Sequence, residues 1–166
     1  MNIVKRIWNV VSTALVVLIV IIALFSVLGS LFGIREYMVM SGSMEPEYSV
    51  GDLAVVKKID TADIKVGDVI TFLLSDDVIA THRVTEVVRS EDDGQLRFRT
   101  KGDMNDTGDG LVHNKNVLGI AIFRIPKLGY AVNFIQNPPG IYFAIIIVIL
   151  LLVFAFIPDS KKKNNV

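Results

Sequence analysis

Ser41-Gly42-Ser43-Met44-Glu45-Pro46 places two hydroxyls in a connector of turn-forming residues between two apolar runs. A serine hydroxyl is a poor nucleophile until a neighbouring base takes its proton, so the chemistry of this connector depends on a base elsewhere. The chain has two histidines. His82 lies in the run Val78–Val88, where strand alternation places Ala80, His82 and Val84 on one face and Ile79, Thr81 and Arg83 on the other. An imidazole among small apolar side chains can serve as a base, although a hydrogen-bonded core histidine fits the same pattern. His113, between Gly110 and Asn114-Lys115-Asn116, reads as a solvated loop residue.

A catalytic histidine needs an acid to fix its tautomer and stabilise the imidazolium. The segment Lys101-Gly102-Asp103-Met104-Asn105-Asp106-Thr107-Gly108-Asp109-Gly110 offers Asp103, Asp106 and Asp109. A calcium loop competes, because Asp103, Asn105, Thr107 and Gly108 loosely follow the first EF-hand positions. That pattern fails at the twelfth position, where Asn114 replaces the bidentate glutamate. A plain acidic turn is the other alternative. Ser, His and Asp thus occur together in one segment, each near a strand end or turn, and a triad has no required chain order.

The elements that must hold these residues follow from the distribution of apolar and charged side chains. The chain has 166 residues, 17 basic and 17 acidic, 52% hydrophobic, with no cysteine and a mean hydropathy of +0.53. Without cysteine there is no disulfide scaffold, thiolate zinc site or cysteine nucleophile. A net charge of zero argues against a basic nucleic-acid-binding surface, and the apolar content excludes disorder. Residues 7–34 and 128–158 contain no Asp, Glu, Lys or Arg, and 141–157 is an unbroken apolar run of 17 residues. Roughly 20 apolar residues cross a bilayer core of about 30 Å, so two membrane spans are expected. A cleaved signal peptide has a shorter apolar core of about 7–15 residues.

Charge predicts how such spans are oriented. Residues 1–34 carry a net +2 from Lys5 and Arg6, residues 128–166 carry +2 from Lys161, Lys162, Lys163 and Asp159, and residues 35–127 carry −4. Positive flanks stay in the cytoplasm. The expected organisation is therefore a cytoplasmic start and span (1–34), an outer-face domain (35–127), and a connector, second span and cytoplasmic basic tail (128–166). Within the middle segment, Tyr37–Met40, Leu53–Ile59, Val69–Leu74, Val78–Val88, Leu96–Thr100 and Val117–Ile125 read as strands, rich in Val, Ile, Phe and Thr and punctuated by Gly and Asp. Glu91-Asp92-Asp93-Gly94 predicts a hairpin turn, and the repeated Val-Gly-Asp at 50–52 and 66–68 predicts two similar turns. The predicted fold class is mostly β: a small, partly closed antiparallel sheet flanked by two transmembrane helices.

The three motifs Ser-Gly-Ser-Met-x-Pro, Thr-His-Arg-Val and Lys-Gly-Asp-x-Asn-x-x-x-Asp resemble type I signal peptidases, from the first span to about Ile125. They are most similar to the Ser-His branch found in the endoplasmic reticulum, in archaea and, as W-type enzymes, in some Gram-positive bacteria. The resemblance implies Ser43 as nucleophile and His82 as general base, where the Ser-Lys branch has a lysine. It implies Asp109 orienting His82, Asp103 supporting the loop through its turn, and the Ser41 hydroxyl with the Ser43 amide as oxyanion hole. Met44 would face the substrate, with ordinary packing as its alternative. The implied activity is removal of signal peptides from preproteins at the bilayer, with no metal or organic cofactor and no nucleic-acid partner. Ser43 lies nine residues beyond Ile34, at most about 32 Å of extended chain from the membrane edge. A non-catalytic outer β module that binds exported chains or a membrane complex is the alternative from another class.

Overall fold

The structure is a computed structural model that describes residues 3–75 and 78–156. By its internal contacts the chain divides into the unit Leu28–Asn133 and a second unit formed by Met1–Val27 with Phe134–Val166.

The first unit is built on seven strands: β1 (Ile34–Met38), β2 (Leu53–Lys57), β3 (Val69–Ser75), β4 (Val78–Arg89), β5 (Leu96–Lys101), β6 (Leu111–His113) and β7 (Val117–Ile125). They form one sheet in the order β1-β2-β7-β3-β4-β5-β6, every pair antiparallel. The sheet is open, with β1 and β6 as its edges, whereas the sequence predicted partial closure. Its edge strands have only five and three residues, which limits the unpaired backbone they present without any closure.

The first four residues of β3, Val69–Phe72, are buried, so this part of the strand packs apolar side chains on both of its faces. Val69 joins Met44, Tyr48, Ala54, Val56 and Ala121 in one cluster. Ile70 and Phe72 join Ile64, Val84, Phe98 and Val112 in another. Full burial of Phe72 and Phe98 contributes about 2–3 kcal/mol each.

The two Val-Gly-Asp segments build the same turn. In Ser49–Asp52 the Asp52 amide donates to Ser49 O (3.0 Å) and the Asp52 carboxylate accepts from Ser49 N (3.0 Å). In Lys65–Asp68 the corresponding distances are 3.2 and 2.8 Å. Gly51 and Gly67 take φ of 88° and 98°, the left-handed region in which a glycine carries no steric penalty.

In chain order one α-helix precedes the strands, α1 (Ile3–Leu31), and two follow them, α2 (Leu128–Gln136) and α3 (Gly140–Phe156). α2 falls where the sequence reading had only a connector. It is marked off by Asn137-Pro138-Pro139, since proline cannot continue an α-helix and restricts the residue before it. α2 and α3 meet at 87° across that break. Among the described residues no single helix is long and apolar enough to cross a membrane; the bent pair Leu128–Gln136 with Gly140–Val153 passes that test together, and Val10–Ile21 of α1 is a shorter apolar stretch. The predicted basic tail, Asp159 and Lys161–Lys163, lies outside the described residues.

Candidate active site

The loop between β1 and β2 carries Ser43 and is closed at its neck by two backbone bonds, Val39 N to Asp52 O and Gly51 N to Val39 O, both 2.9 Å. Inside it, Glu45 N donates to Gly42 O (3.1 Å) and Tyr48 N to Met44 O (2.9 Å). Met44 is 2% exposed and packs beneath the loop with Tyr48, Ala54, Val56, Val69 and Ala121. The side chain occupies the core and forms the floor of the loop, the ordinary packing that the sequence reading held as the alternative to a substrate contact.

The far end of the loop is fastened by Asp52, whose side chain is 1% exposed. Its carboxylate accepts from Ser49 N, from the Lys127 amide (3.1 Å) and from the Arg124 guanidinium at the end of β7. Burial by itself pushes the Asp52 carboxyl up, but the Ser49 amide, Arg124 and the Lys127 amide outweigh it and hold the group below its ordinary value. The start of α2 presses on the same place: a Cβ on Gly51 would lie 1.9 Å from the Tyr130 ring, and one on Gly129 would lie 2.5 Å from Asp52 O.

His82 stands in the middle of the sheet, paired with Ile70 of β3. Its ring meets Phe72 edge-on, with centroids 6.1 Å apart. The alternation expected for this strand holds: Ala80 and Val84 contact the apolar core, while Thr81 on the opposite face shares a 2.8 Å hydrogen bond with Thr71. β4 and β5 pair Arg83 with Lys101, so β5 delivers the acidic loop to the end of the sheet where His82 lies.

The three groups converge. His82 Nε2 lies 3.1 Å from Ser43 Oγ, and His82 Nδ1 lies 2.6 Å from Asp109 Oδ2. A carboxylate only accepts, so Nδ1 carries the ring proton and the Nε2 lone pair faces the serine hydroxyl. The His82 and Asp109 side chains are 12% and 18% exposed, shielded yet open to a reacting group. Ser41 Oγ lies 3.2 Å from Ser43 Oγ. The Ser43 amide makes no backbone–backbone hydrogen bond among the described residues. The arrangement can deprotonate a hydroxyl and present one hydroxyl and one amide beside it, the parts required for acyl transfer.

Of the remaining acids, Asp106 is exposed, and Asp103 lies within the turn of its loop. Its turn is made by the backbone, Asn105 N to Gly102 O at 2.9 Å. The Asp103 carboxylate is instead gripped by Arg83 through Nε (2.9 Å) and Nη2 (2.7 Å). The same guanidinium donates to Gly67 O (2.9 Å) and to Glu47 of the serine loop. The Arg83 bond holds the Asp103 carboxyl below its usual range, and that bond raises the guanidinium above its own. The acidic and serine loops also meet directly, Met104 N donating to Ser43 O (2.9 Å). Gly102 permits this, because a Cβ there would lie 2.7 Å from Ser43 O.

His113 belongs to β6, opposite Arg97 and half-buried, and not to a loop as its polar neighbours suggested. Sequence reasoning also passed over Arg83, Glu47, Asp52 and Thr100. Arg83 carried a usable signal, a guanidinium directly next to the candidate base in the sequence. Thr100 carried none, being an ordinary strand residue by type.

Residues 12–121 match the family described as signal peptidase, peptidase S26. The chain is similar to signal peptidase I W of Bacillus subtilis (strain 168), 41% identical over 90 residues, which cover 53% of this chain and 46% of that protein. It is also similar to the signal peptidase complex catalytic subunit SEC11C of Homo sapiens, 32% identical over 120 residues, covering 67% of this chain and 62% of that one. For the signal peptidase complex catalytic subunit SEC11 of Plasmodium falciparum (isolate 3D7) the identity is 30% over 125 residues, with 70% and 66% covered. The matched region thus spans from about half to just under two thirds of these relatives.

Proposed function

The chain belongs to the peptidase S26 signal peptidase family, and from that membership we propose that it is a membrane-anchored serine endopeptidase that removes signal peptides from exported proteins. Ser43 attacks the carbonyl before the scissile bond while His82 takes its proton. Asp109 holds the imidazole in the productive tautomer and stabilises the imidazolium. The oxyanion is received by the Ser43 amide and the Ser41 hydroxyl, each such donor typically lowering the barrier by about 3–4 kcal/mol. His82 returns the proton to the leaving amine, and water, activated by the same imidazole, releases the acyl group.

One observation carries this reading: the continuous hydrogen-bonded chain Ser43–His82–Asp109, with 3.1 and 2.6 Å links. The W-type relative supports it by its name, signal peptidase I. The substrate is a preprotein whose apolar signal core lies in the bilayer with a small-residue cleavage site just past it. In this reading α1 and the bent pair α2–α3 are the anchors, residues 35–127 act on the outer face, and both termini are cytoplasmic. Tethering enzyme and substrate to one membrane raises their effective concentration.

The test is cleavage of a preprotein carrying an Ala-x-Ala site by the full chain in lipid vesicles, wild type beside Ser43→Ala. Cleavage by the wild type alone is expected. Equal cleavage by both overturns the nucleophile assignment, and binding without cleavage by either replaces the peptidase with the non-catalytic module.

A further inference from the structure

Asp109 sits on a loop, yet its position is fixed by one buried residue at the end of β5. Thr100 is 0% exposed. Its hydroxyl donates to Asp109 Oδ2 at 2.7 Å, and its carbonyl accepts from Asp109 N at 2.7 Å. A single residue therefore grips Asp109 by backbone and by side chain. The hydroxyl reaches the same carboxylate oxygen that lies 2.6 Å from His82 Nδ1. Thr100 is itself held rigidly, paired with Val84, two residues from His82 on the neighbouring strand.

We propose that Thr100 is a positioning residue for the His82–Asp109 pair, an inference that rests on the peptidase reading above. Two donors converging on one oxygen leave the carboxylate a single orientation relative to the imidazole. That orientation is what keeps the Nδ1 proton in place and the Nε2 lone pair on Ser43. Thr100 hydrogen-bonds Asp109 through both its hydroxyl and its carbonyl, so its effect on His82 and Ser43 runs through Asp109. β-Branching keeps the hydroxyl in few rotamers, which suits a strand residue assigned to one hydrogen bond.

The test compares wild type, Thr100→Val and Thr100→Ser as full chains in detergent micelles. Valine keeps shape, strand propensity and backbone pairing while deleting the hydroxyl; serine restores the hydroxyl. Thr100→Val is expected to lower kcat on the Ala-x-Ala preprotein about 10- to 100-fold, with KM within about two-fold. Thr100→Ser is expected to recover kcat to within about three-fold of wild type. The downfield proton resonance of His82 Nδ1–H should move in the valine variant and return in the serine variant. Wild-type kcat and an unmoved resonance in Thr100→Val overturn the proposal, as does a serine variant as impaired as the valine one. If the wild type cleaves nothing, the peptidase reading fails on its own, and the resonance still decides whether Thr100 holds the pair.

Discussion

Replacing Asp52 by alanine tests how the serine loop is held in place. The carboxylate is almost wholly buried and receives three donors, the Ser49 and Lys127 amides and the Arg124 guanidinium. Each hydrogen bond to a charged group contributes about 1.5–3 kcal/mol. Removing one member of a buried ion pair costs about 3–5 kcal/mol. These overlap, and Arg124 is 36% exposed, so water can take over part of its solvation. The expected loss is therefore about 4 kcal/mol, less than the simple total. For a domain of this size that lowers Tm by roughly 15 °C or somewhat more. Asp52→Asn keeps the shape and one acceptor oxygen and should lose about half as much. Circular dichroism melts of the detergent-solubilised chain, with exposed Asp106→Ala as control, give the comparison. A fall in Tm no larger than that of Asp106→Ala would refute the reasoning.

Other expectations follow from the same structure. Asp109→Asn should cut kcat by about three to four orders of magnitude with the fold intact, because the amide favours the wrong imidazole tautomer; preprotein cleavage and a melt read both effects. Gly51→Ala should destabilise far more than Gly67→Ala in thermal melts. Both glycines have φ near +90°, but a Cβ meets the Tyr130 ring only at Gly51 and nothing within 4 Å at Gly67. Asp52 and Asp103 have folded pKa values below their ordinary ones. Their contribution to stability is thus full above the unfolded value near ~4 and lost as pH falls through the folded values. Tm should drop as pH falls below about 4, less steeply in Asp103→Asn.

Strand positions were legible because Val, Ile, Phe and Thr cluster between Gly-Asp punctuation. Five of the six predicted strands match to within two residues, and the first starts earlier, at Ile34. β6 was not legible: three residues, Leu111–His113, among Gly and Asn give no alternation to detect. α2 was hidden because its nine uncharged, mostly apolar residues read as a connector leading into the apolar run that follows. The meeting of Ser43, His82 and Asp109 was anticipated from the motifs. The fastenings were not, since they arise from register: β4 against β5 brings Arg83 to Asp103, and the neck of the serine loop brings Asp52 to Arg124 and Lys127. Met44 shows the limit of motif reading, for its place beneath Ser43 follows from the fold of the loop and not from its type.

The central claim, that Ser43 is the nucleophile of an acyl-transfer reaction, is tested most directly by trapping the intermediate. Wild-type chain mixed with excess Ala-x-Ala preprotein is quenched in acid within the first turnover, and its peptides are weighed by mass spectrometry. The peptide containing Ser43 is expected to carry the acyl mass of the signal segment, and His82→Ala is expected to abolish the adduct. Cleavage proceeding with Ser43 unmodified, or with the acyl group on another residue, would contradict it.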